Sequence, residues 1–377
     1  VNPAKVEAVV RKEFYHLLRD VRSLYLAFAL PLLLILLFGY ALSLDVNHVK
    51  TIVIDQNSTP SSRDLIRKLD SSSYFDVVAF SRNTRDVNTY LDEGWATLAI
   101  VIPPDFSENL HKDRDAPLQV ILDGSDPNFG NISRGYINAF LESQNRPQLD
   151  AFLNRQGRER ILPPLEGRIR VWFNEDLESR NFIIPGNMAV ILMIVGAMLT
   201  SLVVAREYEN GTLETIKSLP LNTGEFLVGK AIPYFVIGMI DVLIAVLMGQ
   251  ILFGVVMKSS FWLLILASAL YLAVALTLGL LISSVLKSQL VANQVAVLVT
   301  YLPSLLLSNF VFPILNMPKP LQILAQVVPA TYYLEILSGV YLKNLGFAQL
   351  WFSFLVLLIM FLVLALLSFL ALKREGI

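Results

Sequence analysis

The sequence predicts an α-helical integral membrane protein with six transmembrane helices and an inserted extracytoplasmic α/β domain. Three observations lead there. Of the 377 residues, 55% are apolar and only 16% charged, with a mean hydropathy of +0.58, whereas soluble domains carry about a quarter charged residues. The apolar residues gather in bands of the roughly 20 residues that a helix needs to cross a hydrocarbon core. The charges gather as well: residues 45–181 hold 16 of the 30 Lys and Arg and 21 of the 31 Asp and Glu.

Residues 1–23 form a cytoplasmic amphipathic helix. At helical spacing Val6, Val10, Phe14, Leu17 and Val21 fall within an arc of about 80°, with Lys5, Arg11, Lys12, Arg19 and Arg22 opposite. Such a helix lies on the membrane surface, either as an anchor alone or with its polar face also on a cytosolic partner. Residues 24–44 are the first span. Their apolar run is too long for a signal-peptide core, and Ala41-Leu42-Ser43 is a weak cleavage site, so the segment reads as an uncleaved anchor.

Residues 45–181 alternate strand and helix patterns. TIVID (51–55), FDVVAF (75–80), ATLAIVI (96–102) and LQVILD (118–123) read as strands, and SSRDLIRKL (61–69) as a helix behind Pro60. Asp126-Pro127 opens a long helical region interrupted near Pro147, and RIRVWFN (168–174) is a last strand. A domain of about 135 residues can bury its own core.

Residues 182–377 carry spans 182–204, 231–254, 262–286, 289–312 and 349–371. Lys5, Arg11, Lys12, Arg19, Arg22, Arg206, Lys217, Lys230, Lys287, Lys373 and Arg374 flank one side of the six spans, and Lys258, Lys319 and Lys343 the other. This imbalance places both termini in the cytoplasm and residues 45–181 outside.

Between two of these spans, GEFLVGKA (224–231) matches the spacing of a phosphate-binding loop up to its last letter. Ala231 lacks the hydroxyl that such a loop gives to Mg²⁺, Glu225 sits where phosphates would, and Phe226, Leu227 and Val228 are bulky. The strands that end in an acidic residue, at Asp55 and Asp123, fall across the bilayer from Lys230. The match reads as chance, with Gly224 and Gly229 as close-packing or turn positions and Lys230 as an interfacial anchor. The surrounding joint, 205–230, is longer than a helix–helix turn needs, which suggests a binding role. Within it, Thr212–Lys217 reads as a short helix ending before Pro220.

Several polar residues fall inside the apolar bands. Asp241 lies near the middle of the third span, where a charge costs at least about 2.5–3.5 kcal/mol, so it must face protein. It is either a proton or cation contact on a transport path or a hydrogen-bonding group between helices. Asn293, Gln294 and Gln250 read as interhelical hydrogen-bond formers, and Pro303 as a kink with Ser304 beside it. Asp241, Asn293, Gln294 and Ser304 are the candidates for a transport path. Segment 313–348, with four prolines, is too broken for a span and reads as a re-entrant outer element.

The three His residues have no metal-ligand spacing, and without cysteine there is no disulfide or thiolate zinc site. A net charge of −1 gives no reason to expect nucleic acid.

The stretches IVIDQNSTPSSRDLIRKL, VILDGSDPN, RVWFNEDLESRNFIIPG, AREYENGTLETIKSLPL and PATYYLEILSGVYLKN, in this order and spacing, resemble the membrane (permease) subunit of a bacterial type-2 ATP-binding cassette exporter. The subgroup is the one with a large extracytoplasmic domain between spans one and two. The resemblance implies that this chain is not an enzyme by itself and binds no cofactor. ATP and Mg would sit on a separate cytosolic ATPase, and a second permease, identical or homologous, would complete the path. It also implies a coupling helix within Glu207–Pro220, with Arg206, Glu207, Glu209, Gly211, Thr212, Leu213, Glu214, Lys217 and Pro220 docking the ATPase, and a connecting helix carrying Arg11, Lys12 and Arg19. Ser338 and Asn309 stand where relatives often have Arg and Gly.

The function expected is export of a drug-like or other amphipathic molecule across a bacterial inner membrane, with a periplasmic adaptor and outer-membrane channel as further partners. The rival is a non-transporting membrane receptor or envelope-interaction protein whose outer domain binds a ligand.

Overall fold

A computed structural model describes residues 2–41, 48–112, 114–125, 127–155, 172–174 and 178–376. The chain divides into two compact units, Leu44–Arg170 and the remainder, Val1–Ser43 with Val171–Ile377.

The first unit contains β1 (Val49–Asp55), α3 (Pro60–Asp70), β2 (Phe75–Ser81), α4 (Arg85–Asp92), β3 (Leu98–Ile102), α5 (Phe106–His111), β4 (Gln119–Leu122) and α6 (Pro127–Arg155). The strands form one sheet in the order β2-β1-β3-β4, with β1 parallel to both neighbours and β4 antiparallel to β3. All five residues of β3, LAIVI, are buried, as expected of a strand covered on both faces. Successive residues feed two cores. Val49, Val53, Leu98 and Ile100 pack with Ile137 of α6, while Ile52, Ile54, Ala99 and Val101 pack with Val87 of α4. Thr59 caps α3 in a reciprocal box with Ser62, and Pro60 takes the first helical position.

Two expectations for this region change. α6 runs unbroken through Pro147; its neighbours Arg146 and Gln148 are exposed, so water can satisfy the carbonyl that proline leaves free. Of the strand expected over 168–174, residues 168–171 lie outside the described residues, and Trp172–Asn174 are not extended into a strand.

The second unit contains α1 (Pro3–Arg19), α2 (Val21–Ala41), α7 (Arg180–Glu209), α8 (Thr212–Lys217), α9 (Thr223–Phe253), α10 (Phe261–Leu286), α11 (Gln289–Leu306), α12 (Lys319–Ala325), α13 (Pro329–Tyr341) and α14 (Phe347–Arg374). Among the described residues α7, α9, α10, α11 and α14 are long and apolar enough to cross a membrane. α2 (Val21–Ala41) covers the expected first span as far as Ala41, and 42–44 lie outside the described residues. The fifth span shortens. α11 ends at Leu306, three residues past Pro303, and Asn309 adopts a left-handed conformation (φ 72°). That backbone is one that glycine and asparagine adopt most readily, and it stops the helix before Phe312. Segment 313–348 is broken, with α12 and α13 meeting at 76°.

α7 is the hub, its apolar stretch almost wholly buried. It lies against α10 at small residues: a Cβ on Gly279 would collide with Thr200 and the Ala197 carbonyl, and one on Gly196 would come within 3.0 Å of Ala275. Close backbones let side chains bond across the pair. Thr200 Oγ1 donates to the Leu276 carbonyl at 3.0 Å, and Ser283 Oγ accepts from the Val204 and Ala205 amides at 3.0 and 2.9 Å. Tyr271 and Tyr333 stack at 4.1 Å, Tyr271 donating to the Ala189 carbonyl and Tyr333 bonded to Ser268.

Candidate functional site

The residues with most chemistry gather where α7 ends. α7 stops at Asn210, and Gly211 turns the chain with φ 69°, a conformation that favours glycine. α8 then spans Thr212–Lys217. Leu213 and Ile216, one turn apart, bury its inner face, while Glu214, Thr215, Ser218 and Leu219 are exposed. Lys217 closes on Glu214 at 2.9 Å.

Beneath α8 lies a buried ion cluster. Lys230, on the third turn of α9, is 2% exposed. Its Nζ donates to Glu13 Oε1 of α1 and Glu207 Oε1 of α7, both at 2.7 Å. Glu13 is 4% and Glu207 7% exposed. Glu207 also accepts from Lys12 at 3.1 Å and from the Thr212 hydroxyl. Two ammonium groups therefore face two carboxylates, so charge is balanced where an unpaired ion would be costly. One cluster ties together four elements, α1, α7, α8 and α9.

The same residues fix α1. A Cβ on Gly229 would lie 2.7 Å from Val9, so α1 and α9 touch along their backbones. Glu225 accepts from the Asn2 amide at 2.7 Å and the Asn222 amide at 3.1 Å, capping the start of both helices with one carboxylate. Between α1, α8 and α9 runs a groove of about 280 Å³. Val9, Ile216 and Phe226 form its floor, with Lys5 and Lys12 at its rim. Lys5 also donates to the Pro220 carbonyl.

These placements revise several expectations. GEFLVGKA is helical throughout, within the first turns of α9, in keeping with the reading of its phosphate-loop spacing as chance. Lys230 is the centre of an ion cluster rather than an interfacial anchor. Gly229 is a close-packing position; Gly224 is not, since a Cβ there would meet nothing within 4 Å. α1 also buries Glu13, beside the expected apolar arc, together with Leu17 of that arc, while Phe14 is exposed.

Of the remaining candidates, Arg206 reaches Asp20 at 3.4 Å and His16 at 3.3 Å. Glu209 accepts from the amide of Gln289 at 2.8 Å and its side chain at 2.5 Å, capping α11. Arg11 and Arg19 are exposed, Arg11 lying over Tyr15. Lys287 pairs with Glu375 at 2.7 Å, a hydrogen bond that holds this carboxyl below its ordinary range.

The path candidates do not converge. Asp241 is buried. Asn293 is half-buried with Oδ1 unpartnered among the described residues, and Gln294 and Gln250 are exposed rather than bonded to a neighbouring helix of this chain. Ser304 is buried, its carbonyl accepting from Ser308. Glu13, Glu225 and Lys5 were absent from the expected set. A Glu in the middle of an apolar helical face was the signal for the first of them.

The profile of ABC-2 family transporter proteins matches residues 22–370. The chain belongs to this family. Within the ABC-2 family it is 34% identical over 341 residues to "Probable multidrug ABC transporter permease YbhS" of Escherichia coli strain K12, covering 90% of this chain and 89% of that relative. It is 29% identical to "Probable multidrug ABC transporter permease YbhR" of the same strain, over 93% of each chain. To "Inner membrane transport permease YhhJ" it is 27% identical, over 72% of each. Apolar helices and family membership together make this ABC-2 protein a multi-pass membrane protein.

Proposed function

We propose that this chain is the permease subunit of an exporter in a bacterial inner membrane, driven by ATP hydrolysis on a separate cytosolic ATPase that carries the ATP and Mg. The observation that carries this reading is α8, a short helix whose inner face is pinned by Leu213, Ile216 and the buried ion cluster and whose outer face is free of the chain. A partner pushing on α8 moves α1, α7 and α9 together. In this reading Glu214, Thr215, Ser218 and Leu219, with Arg11 on α1, meet the ATPase, while Glu207 holds the docking helix in place. Gly211 supplies the turn.

Both termini face the cytoplasm, and the unit around the four-stranded sheet is an extracytoplasmic α/β domain that gates release or docks a periplasmic adaptor leading to an outer-membrane channel. A second permease, identical or homologous, covers the exposed apolar helix faces. The cargo is a drug-like or other amphipathic molecule, as the relatives' names suggest.

Purification of the chain from native membranes in mild detergent, with mass spectrometry of what accompanies it, tests the division of labour. A stoichiometric cytosolic ATPase is expected, retained by wild type and lost on Leu219→Arg at unchanged expression. Absence of an ATPase under conditions that preserve a known transporter complex refutes the proposal and leaves the receptor as the better reading.

A further inference from the structure

Halfway along α9 the chain buries a second acidic group that the ion cluster does not reach. Asp241 is 7% exposed, and its Oδ2 has no hydrogen-bond partner among the described residues. It borders a cavity of about 20 Å³ closed by Pro31 and Ile35 of α2, Met188 and Leu192 of α7, Ala245 of α9 and Tyr333 of α13. The lining from these four helices contains no other charged side chain.

The hydrogen-bonding capacity around this cavity is one-sided. The Tyr333 hydroxyl is engaged with Ser268 at 2.7 Å. Pro31, inside α2, has no backbone N–H to offer the cavity. A carboxyl oxygen with no free donor opposite it among the described residues calls for a ligand that donates. A buried acid surrounded by apolar side chains gains most from a donor that is also cationic.

Size narrows the class further. The cavity holds little more than one water molecule, which needs about 10–15 Å³. A primary ammonium head is of that size; a trimethylammonium head is far larger and has no N–H to give. Apart from Tyr333, the rest of the lining is apolar, which suits a ligand whose remainder is apolar.

We propose that Asp241 binds the primary ammonium head of a cationic amphiphile. This deepens the exporter reading and rests on it only for the ligand's later export, since binding itself needs neither ATP nor a partner.

The test uses the full chain in nanodiscs of zwitterionic lipid with radiolabelled decylamine as probe, subtracting binding to empty discs. Wild type is expected to bind saturably. Asp241→Asn is expected to weaken binding about tenfold or more, as befits loss of a charged hydrogen bond, and Asp241→Glu to retain most of it. Ala245→Leu, which fills the cavity and leaves the acid in place, is expected to exclude the probe even if Asp241→Asn fails to fold. Decyltrimethylammonium is expected to compete poorly. Equal affinity in Asp241→Asn and Ala245→Leu, both with wild-type melting temperatures, overturns the proposal, as does equal competition by the trimethyl analogue. Intact binding in a chain that supports no efflux would instead count against the exporter reading alone.

Discussion

Replacing Lys230 by Met removes the positive centre of the buried cluster and keeps the length of the side chain. Glu207 would retain Lys12 at 3.1 Å and the Thr212 hydroxyl. Glu13, whose carboxylate is held by Lys230 at 2.7 Å, would lose that bond while still shut away from water. Stranding one buried charge in this way costs about 3–5 kcal/mol. Lys12→Met is the control: the Lys12 side chain is 51% exposed, and a pair of that kind contributes about 0–1 kcal/mol. If the loss in Lys230→Met arises from the stranded acid, Glu13→Gln in the same chain should restore about 1–3 kcal/mol of it. Denaturant titration in mild detergent, followed by tryptophan fluorescence, of wild type, Lys230→Met, Lys12→Met, Glu13→Gln and the Lys230→Met, Glu13→Gln double variant gives the five free energies. Lys230→Met falling within about 1 kcal/mol of wild type, or the two single losses simply adding, would refute the charge-balance account of this cluster.

Two further outcomes follow from close backbones. Gly229→Val should drive α1 away from α9, because even its Cβ would stand 2.7 Å from Val9; faster protease cleavage within residues 1–23, with residues 178–376 still resistant, is the expected readout. Gly279→Ala should separate α7 from α10 and break the Thr200–Leu276 bond, an overpacking cost of about 1–3 kcal/mol. A lower melting temperature and loss of the monodisperse peak on size-exclusion chromatography would report it.

Much of this architecture is legible in the sequence because one physical signal dominates each part. Continuous apolar runs flanked by Gly, Pro and Ser mark β1 and β3, and Pro220 after a capped polar turn marks α8. Packing decided the rest. In α1 the apolar arc was assigned to the membrane surface, and what hydropathy could not show is that Glu13, beside that arc, is buried against Lys230. In α11 the hydropathy of Leu305–Phe312 reads as continuing helix, and the left-handed Asn309 ends it. In α6 the sequence reading interrupts the helix near Pro147, but an exposed surface there lets the helix run through it. The phosphate-loop spelling was discounted from its residues, but spacing alone did not say that of its two glycines only Gly229 stands at a helix crossing.

α9 shows how the two charged residues within it could have been read together. From Gly229 onward its buried positions are Gly229, Lys230, Pro233, Tyr234, Ile237, Gly238, Asp241, Val242, Ala245, Val246, Gly249 and Phe253, an unbroken three-and-four spacing. Hydropathy hides this stripe because the outward face, with Val236, Ile240, Leu243 and Leu247 exposed, is equally apolar. The charges reveal it: neither tolerates lipid, and eleven residues of helix bring them back to within about 20° of each other and about 16 Å apart along the axis. Lys230 and Asp241 thus sit at two levels of one inward face, one paired within the chain and the other unpaired. Between them Pro233 leaves the Gly229 carbonyl without its helical bond, so the helix is weakest just above the ion cluster. In the proposed docking, a push through α8 to Lys230 would be taken up first at Pro233, before it reached the segment that carries Asp241.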